Sequence, residues 1–237
     1  MQFVIRFSFL LHLIFTFHDA SAQRQGKNLP QFDFKKFYGG TMLGTTSTTY
    51  AYEINAANLG TDSIQQITLN SGPGISIQIP VFTWNPHPVI NLRFAPSISF
   101  HETQFLYTYY SKGKLKTKST RTQPTPLNFP LLLKLNTKRL NNFGAYAISG
   151  FSYSYDLAGQ ENVDQSLGDP IVKLKRHDFA YHVGGGFEFY LPYFRFAVEL
   201  KLTNGINNLL IQDNTFFSSP LSSLRSKIWW FSITFEG

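Results

Sequence analysis

The chain has 237 residues, a formal net charge of +7, 16% aromatic residues and only 15% charged residues. Soluble domains usually carry about 25% charged residues, so part of this surface is expected to face something other than water. No run of about 18 apolar residues follows the amino terminus, which argues against a helical membrane protein, and the lack of cysteine rules out a disulfide-built secreted domain. In chain order, residues 1–22 read as a secretory signal peptide. Arg6 supplies the positive charge, residues 7–17 form a short apolar stretch broken by Ser8, His12 and Thr16, and Ala20-Ser21-Ala22 is a small-residue cleavage site, with cleavage expected after Ala22. Residues 23–36 are polar, contain Pro30 and show no period; they are expected to form a periplasmic N-terminal arm.

From residue 37 to 237 the pattern is one of short alternating runs divided by turn clusters, the signature of a transmembrane antiparallel β-barrel. Residues 75–81 place Ile75, Ile77, Ile79 and Val81 opposite Ser76 and Gln78. Residues 89–103 place Ile90, Leu92, Phe94, Ile98 and Phe100 opposite Asn91, Arg93, Ser97, Ser99 and His101. Residues 127–136 set Leu127, Phe129, Leu131, Leu133 and Leu135 against Asn128, Lys134 and Asn136. Residues 178–189 set Phe179, Tyr181, Val183, Phe187 and Phe189 against Asp178, His182 and Glu188. Phe194, Phe196, Val198, Leu200 and Leu202 oppose Arg195, Ala197, Glu199, Lys201 and Thr203, and Trp229, Phe231, Ile233 and Phe235 oppose Trp230, Ser232, Thr234 and Glu236. Residues 38–49 and 145–156 are weaker runs whose facing the alternation leaves open.

The fold expected is therefore all-β, a barrel of about eight strands, with apolar faces toward lipid and polar faces toward the lumen. Short connections at 85–88, 138–142 and 190–193 alternate with long polar ones at 50–65, 109–122, 158–172 and 207–225. Short periplasmic turns and longer external loops follow that rule, and an even strand count leaves both termini in the periplasm of an outer-membrane protein. Trp84, Tyr107, Tyr109, Tyr190, Tyr193, Trp229 and Trp230 suit the interfacial aromatic girdles. Pro80, Pro96 and Pro130 fall inside strands and are expected to mark bulges.

The expected lumen carries Arg93, Lys134, Asp178, Glu188, Arg195, Glu199, Lys201 and Glu236. An eight-stranded barrel is just wide enough for side chains to fill, so these charges are expected to pair as a structural plug. An ion or proton path is the sharper alternative. Ser99 and His101 share a face and suggest a hydrolase pair, but neighbours on one face of a strand lie roughly 6.5 Å apart and no orienting carboxylate is identifiable. Asp178 and His182 also share a face, with His177 opposite, and two ligands fall short of a metal site. Gly184-Gly185-Gly186 lacks phosphate-loop spacing and is expected to let neighbouring aromatics pack across it. No catalytic residue, cofactor, metal or small-molecule substrate is expected. The basic clusters at 112–121 and 173–176 flank loops and fit solvated tips or contacts with anionic lipid headgroups, not nucleic acid.

Residues 92–100 (LRFAPSISF), 129–134 (FPLLLK), 137–143 (TKRLNNF), 153–158 (YSYDLA), 174–178 (LKRHD), 184–190 (GGGFEFY), 193–196 (YFRF), 199–201 (ELK) and 205–210 (GINNLL) together resemble the PorT family. These are outer-membrane barrel components of the type IX secretion system of Bacteroidetes. The likeness covers most of the carboxy-terminal two thirds. Residues 112–126 and Gly144-Ala145-Tyr146 depart from it. The resemblance implies a non-enzymatic role in protein secretion, and in some bacteria gliding motility, through contact with other secretion components. It brings no catalytic residues. The turn of Lys138, Arg139, Asn141 and Asn142, with the arm at 23–36, is the expected partner contact. A plain turn near lipid headgroups, a generic small barrel with an anchoring role, and a lipid-modifying enzyme are the competing expectations.

Overall fold

The computed structural model describes residues 26–54, 64–159, 161, 171–213 and 215–237. The expected signal peptide and its cleavage site lie outside the described residues. A short 3-10 turn, Pro30–Phe34, precedes the strands β1 (Phe37–Ile54), β2 (Ile64–Ser71), β3 (Pro73–His87), β4 (Ile90–Phe94), β5 (Ser97–Phe100), β6 (Thr103–Ser111), β7 (Lys114–Thr122), β8 (Pro126–Asn136), β9 (Phe143–Asp156), β10 (His177–Tyr190), β11 (Arg195–Gly205) and β12 (Leu221–Glu236). Among the described residues no helix is long and apolar enough to cross a membrane.

Nine strands form one sheet in the order β1-β12-β11-β10-β9-β8-β4-β3-β5, and the additional β1–β3 and β8–β5 pairings close it. β4 and β5 are one crossing interrupted at Ala95-Pro96. Both keep a single register against β8, from Ile90↔Leu135 to Ile98↔Leu127. The wall therefore has eight antiparallel crossings, and closure leaves no free edge in the hydrocarbon, where an unpaired backbone group costs several kcal/mol.

Alternation sets the two faces. Leu131, Leu133, Phe151, Phe179, Val183, Phe187, Leu200, Trp229 and Phe231 are exposed on the outside, while Arg93, Lys134, Glu188, Glu199, Thr203 and Thr234 are buried within. The facing left open in β1 and β9 resolves with Met42, Thr46, Thr48, Tyr146, Ile148 and Ser152 inward. Three aromatics expected in the interfacial girdles, Tyr107, Tyr190 and Trp230, are instead buried inside, and one expected face is wrong. Val81 is fully buried and Phe82 and Trp84 point outward, because the β1–β3 register shifts between Gly40 and Met42, opposite Ile79-Pro80. A bulge moves every later side chain to the other face. Pro80 thus marks a bulge and Pro96 an interruption, whereas Pro130 keeps regular register with β9 opposite Ser152 and on its other side faces the interruption at Ala95-Pro96.

The run Gly184-Gly185-Gly186 in β10 does make room for an aromatic: a Cβ on Gly186 would stand 2.6 Å from the Tyr146 hydroxyl.

At the end carrying both termini the connections are short. At the other end the structure departs from the expectation of long polar loops. Residues 109–122 are mostly strand: β6 and β7 pair from Thr103↔Thr122 to Ser111↔Lys114, around Lys112 and Gly113 at positive φ. β2 adds to β6 as a third strand. This small sheet and the chain at 207–213 and 215–221 enclose an apolar cluster of Tyr50, Ile67, Phe105, Tyr107, Val172, Leu174, Leu209, Leu210, Phe217, Leu221 and Leu224, all buried. The Tyr107 hydroxyl donates to the Phe217 carbonyl at 2.9 Å, and burial pushes the Tyr107 phenol above its ordinary pKa. A folded cap thus stands over that mouth.

Candidate functional site: a charged plug and a docked arm

Seven of the eight expected lumen charges lie buried at 0–3% exposure. Strand alternation aims them inward, and the stagger of the barrel brings residues from distant strands to one level. Arg93 on β4 meets Glu199 on β11 at 2.6 Å and Glu236 on β12 at 3.8 Å. Lys134 on β8 pairs with Glu188 on β10. Arg195 on β11 holds Glu188 at 3.2 Å and, through Nε at 2.9 Å, Glu236. Tyr146 donates to Glu199 at 2.9 Å, and its ring carries the Lys134 ammonium 4.1 Å from the centroid. Lys201 places its ammonium 4.6 Å from the Trp230 ring.

Four cations thus face three carboxylates in a layer that crosses the lumen. Desolvating such charges costs several kcal/mol per ion unless each is paired, and the aromatic faces supply the remaining partner. Asp178 is the exception. It sits toward the capped mouth, accepts a hydrogen bond from Ser226 at 2.6 Å and joins no ion pair among the described residues.

Ser99 accepts a hydrogen bond from Asn128 at 3.3 Å, and His101 Nδ1 has no hydrogen-bond partner. The structure therefore does not join Ser99 and His101 as a hydrolase pair. His182 bonds to Thr203 at 2.7 Å and His177 to Tyr153 at 2.6 Å on the outer surface. Among the described residues no group of three His, Cys, Asp or Glu side chains could hold a metal ion.

At the mouth beside the termini, the turn at 138–142 and the arm meet each other. Arg139 donates to Asp33 at 3.3 Å and to the carbonyls of Asn28 and Leu29, and its guanidinium lies 3.7 Å from the Tyr190 ring centroid. Asn142 accepts from the Asn28 backbone N–H at 2.8 Å. Asn141 stands at positive φ, which tightens the turn. The arm's Phe32 is buried against Tyr38 and Tyr190, with Arg195 4.6 Å from its ring. A cavity of about 260 Å³ remains beside the arm, with Lys27, Asn136, Lys138 and Arg195 among its lining residues. Lys138 is exposed. No sequence signal connected Arg139 to Asn28 or Phe32 to Arg195; the arm carries no period, and these contacts span more than 100 residues of chain.

A closed eight-crossing cylinder with an apolar outer belt and a charged interior defines a transmembrane β-barrel of the outer-membrane class. A family model described as outer membrane protein beta-barrel domain matches residues 22–210, and the chain belongs to that family. No curated protein matches the sequence. Among solved structures, the outer membrane protein OprG from Pseudomonas aeruginosa is similar at 14% identity and a TM-score of 0.46, over 90% of this chain and 97% of that one. Ail, the attachment invasion locus protein of Yersinia pestis, is similar at 8% identity and a TM-score of 0.33, over 86% of this chain and all of the other.

Proposed function

We propose that this outer-membrane barrel is a closed, non-catalytic assembly component of a type IX protein secretion machine, exported by a cleaved signal peptide and inserted with both termini in the periplasm. The observation that supports this best is the plug. A lumen crossed by buried, mutually paired charges offers no route for a polypeptide, so the protein acts through its surfaces. The periplasmic surface is the folded arm with the Lys138–Asn142 turn, and it is the docking face for other secretion components. Support for the particular machine comes from the PorT-like segments, which include that turn.

The test is a clean deletion, scored for export of secreted cargo and for gliding where the host glides, together with affinity purification of the tagged protein from native membranes. Loss of export and recovery of secretion components are expected. Normal export with a fragile envelope would replace this reading with that of a structural barrel. Altered lipid chemistry that depends on Ser99 or His101 would replace it with that of an enzyme.

A further inference from the structure

The wall has one badly stitched seam. On β8 the even-numbered residues turn their backbone toward β4 and β5, as the bond from Asn136 N–H to Val89 O shows. Thr125 turns the other way: its N–H goes to Asp156 and its carbonyl receives Leu157 N–H. The even positions of the upper half are Pro124, Pro126, Asn128 and Pro130. Three of these four residues have no N–H to donate. Pairing across the seam is accordingly reduced to Ser97↔Asn128 and Ile98↔Leu127, and it resumes only at Thr103↔Thr122 in the cap sheet. Between those points side chains bridge the strands: Gln123 donates to Glu102 at 2.7 Å, and Arg121 meets Glu102 at 3.3 Å.

Outside this seam lies a notch of about 820 Å³. Its lower part is apolar, with Ile75, Ile77 and Phe100 exposed on the outer wall; its upper part is polar, with Glu102, Gln123 and Thr125. Arg121 is not part of the lining but reaches its rim through the 3.3 Å contact with Glu102; it is 64% exposed, with donors to spare beyond that carboxylate. The order along the wall, apolar below with an arginine that has free donors at the upper rim, suits an anionic lipid standing in a leaflet with its head toward the capped end.

We propose that this notch is a binding site for one molecule of the outer leaflet's phosphorylated glycolipid, with an acyl chain along Ile75, Ile77 and Phe100 and a phosphate at Arg121. The site rests on the orientation proposed above, which puts the capped end outside the cell. The three prolines keep the strands from zipping and hold the groove open. A groove in the hydrocarbon is filled by chain in any case; what the cation adds is selection of an anionic head.

The experiment is native mass spectrometry of the intact protein, purified in mild detergent and compared with Ile75→Trp and Arg121→Glu variants. Both positions are on the outer surface, and gel heat-modifiability verifies that each variant folds. One retained phosphorylated glycolipid per wild-type barrel is expected. Ile75→Trp fills the lower part of the groove and lowers retention. Arg121→Glu lowers it for the phosphorylated lipid and leaves the dephosphorylated form unaffected. No retained lipid, equal retention by all three proteins, or retention of an inner-leaflet phospholipid in its place would overturn the proposal. Protease shaving of whole cells reports the orientation independently.

Discussion

Removing Glu199 isolates the charge at the centre of the plug. In Glu199→Ala, Arg93 loses its 2.6 Å partner and keeps only Glu236 at 3.8 Å, and the Tyr146 hydroxyl loses its acceptor. Both members of the pair are almost wholly buried. Breaking a buried pair costs about 3–5 kcal/mol, because the remaining charge is left uncompensated. Glu199→Gln retains an acceptor for Arg93 and Tyr146 and is expected to cost less. Replacing both members, Arg93→Leu with Glu199→Leu, removes the stranded charge and restores most of the loss. Urea unfolding in lipid vesicles, followed by tryptophan fluorescence, closes the double-mutant cycle. Bilayer conductance supplies a second readout: the wild type is expected to be silent. A Glu199→Ala cost below about 0.5 kcal/mol with no coupling to Arg93 would refute the reasoning, since only a solvated pair behaves so. Steady wild-type ion conductance would refute the plug directly.

Arg139→Ala removes the Asp33 pair, the bonds to the Asn28 and Leu29 carbonyls and the Tyr190 stacking together. The arm is then expected to detach and to be cut faster by trypsin at Lys27 and Lys35, while the barrel stays folded; an unchanged cleavage rate would refute the docking role. Asp213, in the cap connection, is pushed up by partial burial, but hydrogen bonds from Ser218 and Thr215 and the charge of Lys173 outweigh this and hold its carboxyl below the usual range. A depressed carboxylate stabilises the fold above its unfolded pKa, about 3.9, and that contribution fades as pH falls through the lower folded value. Amides at 215–219 are therefore expected to lose hydrogen-exchange protection on acidification below about pH 4. In Asp213→Asn that protection is reduced already at neutral pH and does not change through this window; identical profiles for the two proteins would refute the assignment.

The barrel was legible because a strand period of two shows in a single sequence. Leu127 to Leu135 and Phe196 to Leu202 declare their lipid face without any neighbour's help. The same alternation identified Arg93, Lys134, Glu188, Arg195, Glu199, Lys201 and Glu236 as inward. It could not match Arg93 with Glu199, because cross-lumen partners depend on the stagger of the whole cylinder. Nor could it carry the facing of β3 past Ile79. Pro80 warned of a fault, but a bulge and a break look alike in sequence, and only the bulge sends Val81 inward. The cap escaped notice for a different reason. Phe105 and Leu174 come from two distant stretches and Leu209 and Phe217 from a third, and they become a core only when β6 and β7 extend the wall.

The two mouths are closed by different chemistry, and water treats the two closures differently. The cap buries eleven apolar residues; opening it would return that surface to water at about 25 cal/mol per Å². The arm is held by one buried aromatic, Phe32, by bonds from Arg139 and by the Asn28 N–H donated to Asn142. Hydrogen bonds of this kind contribute only about 0.5–1.5 kcal/mol each, because water replaces them on release. The arm is thus the closure that gives way at the lower cost, whereas the cap buries the larger apolar core. The docking proposed above therefore predicts a partner that offers carbonyls or carboxylates to Arg139 and an aromatic ring to Arg195 in the arm's place. The paired charges behind them keep the lumen shut throughout.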